Sequence, residues 1–143
     1  MRLFRKTAFL AAIVSTFACH YTAGPPLVAA DFALDNINGR ALPTILSPIP
    51  ESPTVVSSTL HLDGAGNATL TQYLRQMGNN ITQIATYTYT ISGNHIAFGY
   101  NCPPYADCIA PPSGTISGSS LSLDMSGGSG TLIYNYLLAY FME

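Results

Sequence analysis

Turn-forming residues divide the chain from Asp31 onward into short segments, and this spacing constrains the fold more than any other feature of the sequence. Gly, Asn, Ser and Pro recur at short intervals, and β-branched and aromatic residues fill the segments between them, a pattern typical of all-β proteins. No segment has the apolar periodicity of a helix. We therefore predict eight strands, at residues 31–37, 54–62, 68–77, 81–91, 95–101, 114–117, 120–126 and 130–138.

Three glycine turns predict which residues face one another across the hairpins. Two-residue turns at Gly93-Asn94, Gly118-Ser119 and Gly127-Gly128 each place apolar residues opposite apolar residues on one face. A slip of one residue would scatter these pairs. The predicted pairs are Ile91 with Ile96, Tyr89 with Phe98, Ile116 with Leu121, Leu123 with Leu132 and Leu121 with Tyr134.

The consistent face becomes the predicted interior of the domain. Eight sequential antiparallel strands on short turns favour an up-and-down barrel, because closure removes exposed strand edges. A sandwich of two sheets is the alternative. The proline-rich segment 43–53 is predicted to be a loop. The predicted inner face comprises Phe32, Leu34, Val56, Leu60, Leu62, Leu70, Leu74, Tyr87, Tyr89, Ile91, Ile96, Phe98, Ile116, Leu121, Leu123, Leu132, Tyr134 and Tyr136.

Residues 1–18 have the composition of a secretory signal peptide. Basic residues precede an apolar run over residues 7–18, which is too short to span a membrane and suits a signal h-region. The run ends at Ala18-Cys19, and a small residue directly before a Cys at this place resembles the bacterial lipobox. This interpretation makes 1–18 the signal peptide, 19–30 the lipid anchor and linker, and 31–143 the barrel domain. Ordinary cleavage at Ala18 or after Ala30, giving a secreted protein, and a retained anchor are the alternatives.

The number of cysteines supports lipidation of Cys19. An odd Cys in a secreted chain needs an explanation, and modifying Cys19 while pairing Cys102 with Cys108 leaves no free thiol. A disulfide closing so small a ring is expected to contribute about 2 kcal/mol. Two thiols without a second pair fall short of zinc spacing, and a redox role would need Cys-x-x-Cys geometry. We expect no metal site and no cofactor.

Low charge limits the partners of the protein. Charged residues make up 8% of the chain, and the net charge is −2, so no basic surface for nucleic acid is expected. Without residues 1–18, Arg40 and Arg75 are the only Lys or Arg residues left against seven acids. Such a surface would not be drawn to anionic lipid headgroups, so a lipid anchor is the means by which a membrane would hold it.

Candidate catalytic residues do not form a recognisable constellation. His61 and Asp63 lie two apart on one predicted strand, with Ser57 and Thr59 on the same face, but no nucleophile-elbow motif accompanies them. This face is the predicted outer one, and no two carboxylates are placed for acid–base work. We therefore predict that the protein is not an enzyme.

Inward-facing tyrosines carry the one binding hypothesis that the residues support. An eight-stranded barrel interior either fills with side chains or holds one small ligand, and hydroxyls in an apolar wall would orient that ligand. The two hypotheses are a barrel that binds a small apolar ligand and a filled barrel whose surface docks to another envelope protein. The candidate ligand-binding residues are Gln72, Tyr87, Tyr89, Phe98, Tyr134 and Tyr136.

Four segments of the chain resemble small bacterial lipocalin-like lipoproteins. They are Phe32-Ala-Leu-Asp-Asn-Ile-Asn-Gly39-Arg-Ala-Leu-Pro43 and the hairpin segments 62–70, 87–96 and 114–123. The resemblance implies an eight-stranded lipocalin-like barrel on an envelope anchor, with diacylglycerol on Cys19. His20, where the inner-membrane members of the lipoprotein family have Asp, implies the outer membrane or the cell surface. True lipocalins open with Gly-x-Trp and this chain has no Trp, so the resemblance implies no particular ligand.

Overall fold

The computed structural model describes residues 29–47, 51–100, 110–126 and 132–139. These residues form ten strands and contain no helix. The strands are β1 (Ala29–Ile37), β2 (Arg40–Ala41), β3 (Thr44–Ile45), β4 (Thr54–Asp63), β5 (Asn67–Gln76), β6 (Asn79–Ser92), β7 (His95–Gly99), β8 (Ser113–Ser117), β9 (Ser120–Asp124) and β10 (Ile133–Leu138).

Eight of the strands close into an antiparallel up-and-down barrel, which confirms the predicted fold class. The sheet runs from β1 through β10, β9, β8, β7, β6 and β5 to β4, and β1 also pairs with β4. Phe32 in β1 therefore lies opposite Leu138 in β10 and opposite Leu60 in β4. The two-residue strands β2 and β3 add to β1 and β4, so the predicted loop 43–53 contains one short strand.

The two ends of the barrel differ in their connections. Tight turns at residues 64–66, 93–94 and 118–119 form one end, which we call the tight-turn end. The opposite, long-loop end has the connections with more residues, which join β1 to β4, β7 to β8 and β9 to β10. The exception there is the Met77-Gly78 turn, where both residues have positive φ as a type I′ hairpin turn requires.

The core is the interior of the barrel, where strand alternation places the apolar side chains. Thirteen of the predicted inner-face residues are buried there; Tyr87, Ile91, Ile116 and Leu132 are half-buried against them. Ile37 and Ala68 are buried too, although they were not expected to be. The buried apolar residues are Phe32, Leu34, Ile37, Val55, Leu60, Leu62, Ala68, Leu70, Leu74, Tyr89, Ile96, Phe98, Leu121, Leu123, Tyr134 and Tyr136.

The prediction for Val56 is wrong. Val56 is 37% exposed, and its neighbour Val55 is fully buried instead. The pairing of β4 with β5 shifts between Val55 and Ser57, as a β-bulge does. The extra residue reverses the alternation at the start of β4, so that Val55 takes the inward position.

Two of the three predicted hairpin registers are confirmed, and the third is wrong. The turns at residues 93–94 and 118–119 have the predicted registers, with Tyr89 opposite Phe98 and Ile116 opposite Leu121. The third register is wrong by two residues, because Leu121 lies opposite Tyr136 rather than Tyr134. Met125 donates its backbone N–H to the carbonyl of Leu132, so the connection is longer than the predicted two-residue turn. A shift by two preserves the face, and the tyrosines therefore still point inward.

Candidate functional site

The two halves of β6 have different partners. Residues 79–88 pair with β5, whereas residues 88–92 pair with β7. β7 ends at Gly99, opposite Thr88. Within the described ranges, the first half of β6 therefore has a neighbouring strand on one side alone.

The barrel interior opens to the surface along this half of β6. Tyr89, on the inner face of the second half, is 3% exposed. Further toward the long-loop end, Tyr87 and Ala85 are half-buried, and Gln83 is exposed although it lies on the same strand face as they do. The inner face of β6 thus passes from core to solvent within a few residues.

Two adjoining cavities lie at this opening, and we call them together the β6 cleft. The first has a volume of about 580 Å³ and the second about 350 Å³. Ala85, Tyr87 and Met125 line both of them. The other lining residues are Thr86, Tyr100, Ala110, Pro111 and Pro112 in the first cavity and Leu70, Gln72, Gln83 and Ile84 in the second.

Gln72 is the inward-facing amide of the cleft. It lies on β5 between Leu70 and Leu74, opposite Gln83 of β6 and Ser58 of β4. Its Nε2 atom is buried and has no hydrogen-bond partner among the described residues. A buried donor without a partner costs free energy, about 1–3 kcal/mol, and is uncommon in folded proteins.

Tyrosine hydroxyls provide the other polar groups of the interior. Burial raises the pKa of Tyr134, and a hydrogen-bonding interaction with the Gln72 side chain, in which Nε2 stays beyond normal hydrogen-bond length, offsets part of that rise. Burial also raises the pKa of Tyr136, whose hydroxyl is hydrogen-bonded to Ser58 at 3.0 Å. The pKa of Tyr87 is raised by burial and then by Tyr100. These hydroxyls are uncharged at neutral pH, so the interior offers hydrogen bonds without charge.

Aromatic rings connect the cleft to the core. The Tyr87 ring meets Phe98 edge-on at a centroid distance of 5.7 Å and Tyr100 at 6.2 Å. Phe98 in turn contacts Tyr89 at 6.5 Å. The Tyr89 hydroxyl reaches the tight-turn end, where it is hydrogen-bonded to the backbone of Gly64. Tyr89 therefore fills the end of the barrel away from the cleft.

The six residues predicted to bind a ligand take different places. Gln72 and Tyr87 line the cleft, whereas Phe98 packs behind Tyr87. Tyr134 and Tyr136 are buried neighbours with ring centroids 6.3 Å apart. Sequence reasoning missed Ser58, although it has the inward parity of Leu60 and Leu62. It also missed Met125 and Pro112, whose positions depend on loop paths that no local pattern encodes.

His61 and Asp63 lie on the outer face near the tight-turn end. His61 Nδ1 is 2.7 Å from Asp31 Oδ1, and the side chains are 54% and 38% exposed. Asp63 accepts hydrogen bonds from the backbone N–H groups of Ala65 and Asn67 and from the Asn67 side chain. The Asn67 bonds are the main reason that the pKa of Asp63 is lowered. Both residues therefore have local structural partners.

Several sequence predictions fall outside the described residues. These are the signal peptide 1–18, the lipidation site Cys19 and the disulfide between Cys102 and Cys108. In the described part of the chain, no three His, Cys, Asp or Glu residues are grouped to hold a metal ion. No helix among residues 29–47, 51–100, 110–126 and 132–139 is long and apolar enough to cross a membrane.

Comparison of the chain with models of known protein families, with curated proteins and with solved structures found no match. The resemblance to lipocalin-like lipoproteins thus stays a prediction from sequence motifs. The closed eight-stranded barrel that the resemblance implies is present.

Proposed function

We propose that this protein is a lipid-anchored protein of the cell envelope whose barrel binds one small, mostly apolar molecule in the β6 cleft. The observation that carries the proposal is the opening of the barrel interior into a cavity of about 580 Å³. Ligand pockets of proteins are typically about 300–1,000 Å³ and mostly apolar. Pro112, Met125 and the rings of Tyr87 and Tyr100 supply such walls.

The packing of the rest of the interior favours a ligand site at the cleft rather than on the barrel axis. Side chains such as Tyr136, Leu60 and Leu121 are almost fully buried within the barrel. An eight-stranded barrel is just wide enough for side chains to fill it. The filled core holds the shape of the barrel, and the open half of β6 remains for a ligand.

The anchor rests on the sequence around Cys19, and the start of β1 bears only on where the chain is cleaved. Ala29 and Ala30 pair with Asp63 and Leu62 of β4. Cleavage after Ala30 would remove these two residues from the sheet, so processing at Cys19 is the more compatible route. Lipid on Cys19 would place the barrel at the outer membrane or the cell surface, where a Cys102–Cys108 disulfide would also persist.

Native mass spectrometry of protein purified from its own host tests the ligand. We expect wild-type protein to carry a small molecule and Ala85→Phe to lose it, because Ala85 lines both cavities. Thr90→Phe, on the exposed outer face of β6, is the matched control and should keep the molecule. Wild-type protein that carries no small molecule in this experiment would contradict the proposal.

Intact-mass measurement tests the anchor separately. Protein from bacterial membranes should carry the mass of acyl groups on a chain that begins at Cys19, and Cys19→Ala should be released from the membrane fraction. An unmodified thiol on the mature chain would overturn the anchor and leave a secreted barrel.

We propose no catalytic role for the barrel. Ser57 and His61 are separated from the β6 cleft by the sheet, since they lie on its outer face. Hydrolysis of an ester or amide that His61→Ala abolishes would overturn this proposal.

Protein docking is the second candidate, and exposed apolar residues on the outer face favour it. Tyr73 on β5 is 47% exposed and Ile84 on β6 is 66% exposed, and Val56 on β4 lies beside Tyr73. Crosslinking in intact cells tests this candidate. A specific adduct that Tyr73→Ser and Val56→Ser remove would support docking, and its persistence in both variants would contradict docking through this face.

A further inference from the structure

We infer that the β6 cleft selects uncharged ligands that carry a hydrogen-bond acceptor, such as the carbonyl oxygen of a ketone, ester or quinone, and that the Gln72 amide is the group that binds this acceptor. The inference rests on the proposed ligand-binding function and specifies the chemistry of the ligand.

Gln72 supplies a donor whose Nε2 atom makes no hydrogen bond of normal length within the described residues, although the amide is close enough to the Tyr134 hydroxyl to lower its pKa in part. The side chain lines the second cavity, and its Nε2 atom has no hydrogen-bond partner in the described part of the chain. Other buried polar groups of the interior are paired, as Ser58 is with Tyr136. An amide that served folding alone would be expected to find a partner, since unpaired buried donors are disfavoured. A ligand acceptor would remove this penalty.

The position of Gln72 allows its amide to reach a ligand. The terminal torsion of a Gln side chain is soft, so the amide can turn toward the cavity that it lines. Its neighbours on the same strand face, Leu70 and Leu74, are buried and apolar. A ligand at Gln72 would thus have one polar contact within apolar surroundings, and its body would lie toward Tyr87 and Met125.

The uncharged residues that line the cleft argue for a neutral ligand. No Lys, Arg, His, Asp or Glu is among the described residues that line the two cavities. The two arginines in the described ranges, Arg40 and Arg75, are exposed outside the cleft. An anionic head would meet no counter-charge among these described lining residues, and burying an unpaired charge is strongly unfavourable.

Three matched probes test the inference by isothermal titration calorimetry on the full chain. They share one aromatic body: 2-acetylnaphthalene has a carbonyl, 2-isopropylnaphthalene has the same shape without one, and 2-naphthoate is the anion. We expect wild-type protein to bind the ketone about fivefold to tenfold more tightly than the hydrocarbon, the effect of one buried hydrogen bond. We expect 2-naphthoate to bind at least tenfold more weakly than the ketone.

Gln72→Met is the decisive variant, because it keeps the length of the side chain and removes the donor. The preference for ketone over hydrocarbon should fall to about one, while the unliganded variant should be as stable as wild type or more stable. Gln76→Met, on the same strand, is the control: the Gln76 side chain is hydrogen-bonded to the carbonyl of Glu51, and the preference should persist. A purely structural role for Gln72 would instead lower stability and leave the preference unchanged.

The outcomes separate the inference from the proposed function. If none of the probes binds at concentrations up to its own solubility limit, the ligand function itself fails. If ketone and hydrocarbon bind equally, if 2-naphthoate binds most tightly, or if Gln72→Met keeps the preference, the inference is overturned while ligand binding stands. Should Gln72→Met not fold, the carbonyl ¹³C resonance of labelled 2-acetylnaphthalene on wild-type protein decides: a shift to higher frequency supports the hydrogen bond, and no shift contradicts it.

Discussion

The hydroxyl groups of Ser58 and Tyr136 lie 3.0 Å apart inside the barrel, where the two residues are 2% and 1% exposed. Ser58 belongs to β4 and Tyr136 to β10, the strands on either side of β1. The bond therefore links the two neighbours of the strand that closes the barrel.

Substitutions at this pair are expected to show strong coupling. Ser58→Ala leaves the Tyr136 hydroxyl buried without a partner, so the free energy of unfolding should fall by about 1–3 kcal/mol. Tyr136→Phe leaves the Ser58 hydroxyl buried without a partner in the same way. The double variant removes both groups, and its loss should be smaller than the sum of the single losses. Urea denaturation of the four proteins measures the coupling, and additive losses would contradict it.

The bulge in β4 gives a second prediction. Val55 is fully buried and Val56 is 37% exposed. Val55→Ala removes two buried methyl groups and should cost about 2 kcal/mol, whereas Val56→Ala should cost less than about 0.5 kcal/mol. Thermal and urea unfolding of the two variants compare them directly, with each serving as the control for the other. Equal losses would place the bulge elsewhere in the strand.

Short turns made most of the barrel predictable from sequence, because a two-residue turn fixes the register of both strands. Tyr89 opposite Phe98 and Ile116 opposite Leu121 follow from this rule and are confirmed. The rule fails at Val56 and at Leu121 with Tyr134. A bulge and a long connection each change the number of residues between paired positions, and neither has a sequence signal as strong as Gly-Asn.

The candidate site was predictable to a lesser extent. Strand alternation placed Gln72 and Tyr87 on the inner face, where both are found. The cleft beside them exists because β7 ends at Gly99 while β6 continues, and because Pro112 and Met125 approach from other connections. Such proximity depends on tertiary structure. That Gln72 Nε2 has no hydrogen-bond partner among the described residues likewise becomes visible only in the folded structure.

Close packing at Gly114 gives a third prediction. Gly114 lies on β8 opposite Leu123, and a Cβ atom there would collide with the carbonyl oxygen of Ser122 and approach Leu123 Cδ2 to 2.7 Å. Backbone atoms cannot move aside without breaking the strand pairing. Gly114→Ala should therefore destabilise the barrel by about 1–3 kcal/mol.

Calorimetric unfolding measures this loss, and Ser113→Ala on the same strand is the control, with a change expected within about 0.5 kcal/mol. If Gly114→Ala unfolds at the wild-type temperature, β8 and β9 are farther apart than the structure has them.

The buried tyrosines predict a loss of stability at alkaline pH. Burial raises the pKa of Tyr136 and Tyr134 in the folded protein. Below about pH 10, folded and unfolded chains both keep these phenolic protons, and the free energy of unfolding does not depend on them. Above that pH the unfolded chain releases protons that the folded chain retains. The free energy of unfolding should then fall by about 1.4 kcal/mol per pH unit for each such proton, until the pH reaches the folded-state pKa.

Urea denaturation between pH 8 and pH 11 (the range on either side of the ordinary tyrosine pKa of about 10) measures this slope. Tyr136→Phe should be less stable than wild type at pH 8 but lose less stability above pH 10, because one retained proton is gone. Tyr73→Phe, at a position that is 47% exposed, is the control for loss of a phenol. If the free energy of unfolding changes with pH in the same way for wild type and Tyr136→Phe, the Tyr136 hydroxyl is accessible to water. The hydrogen bond to Ser58 would then not be buried within the barrel.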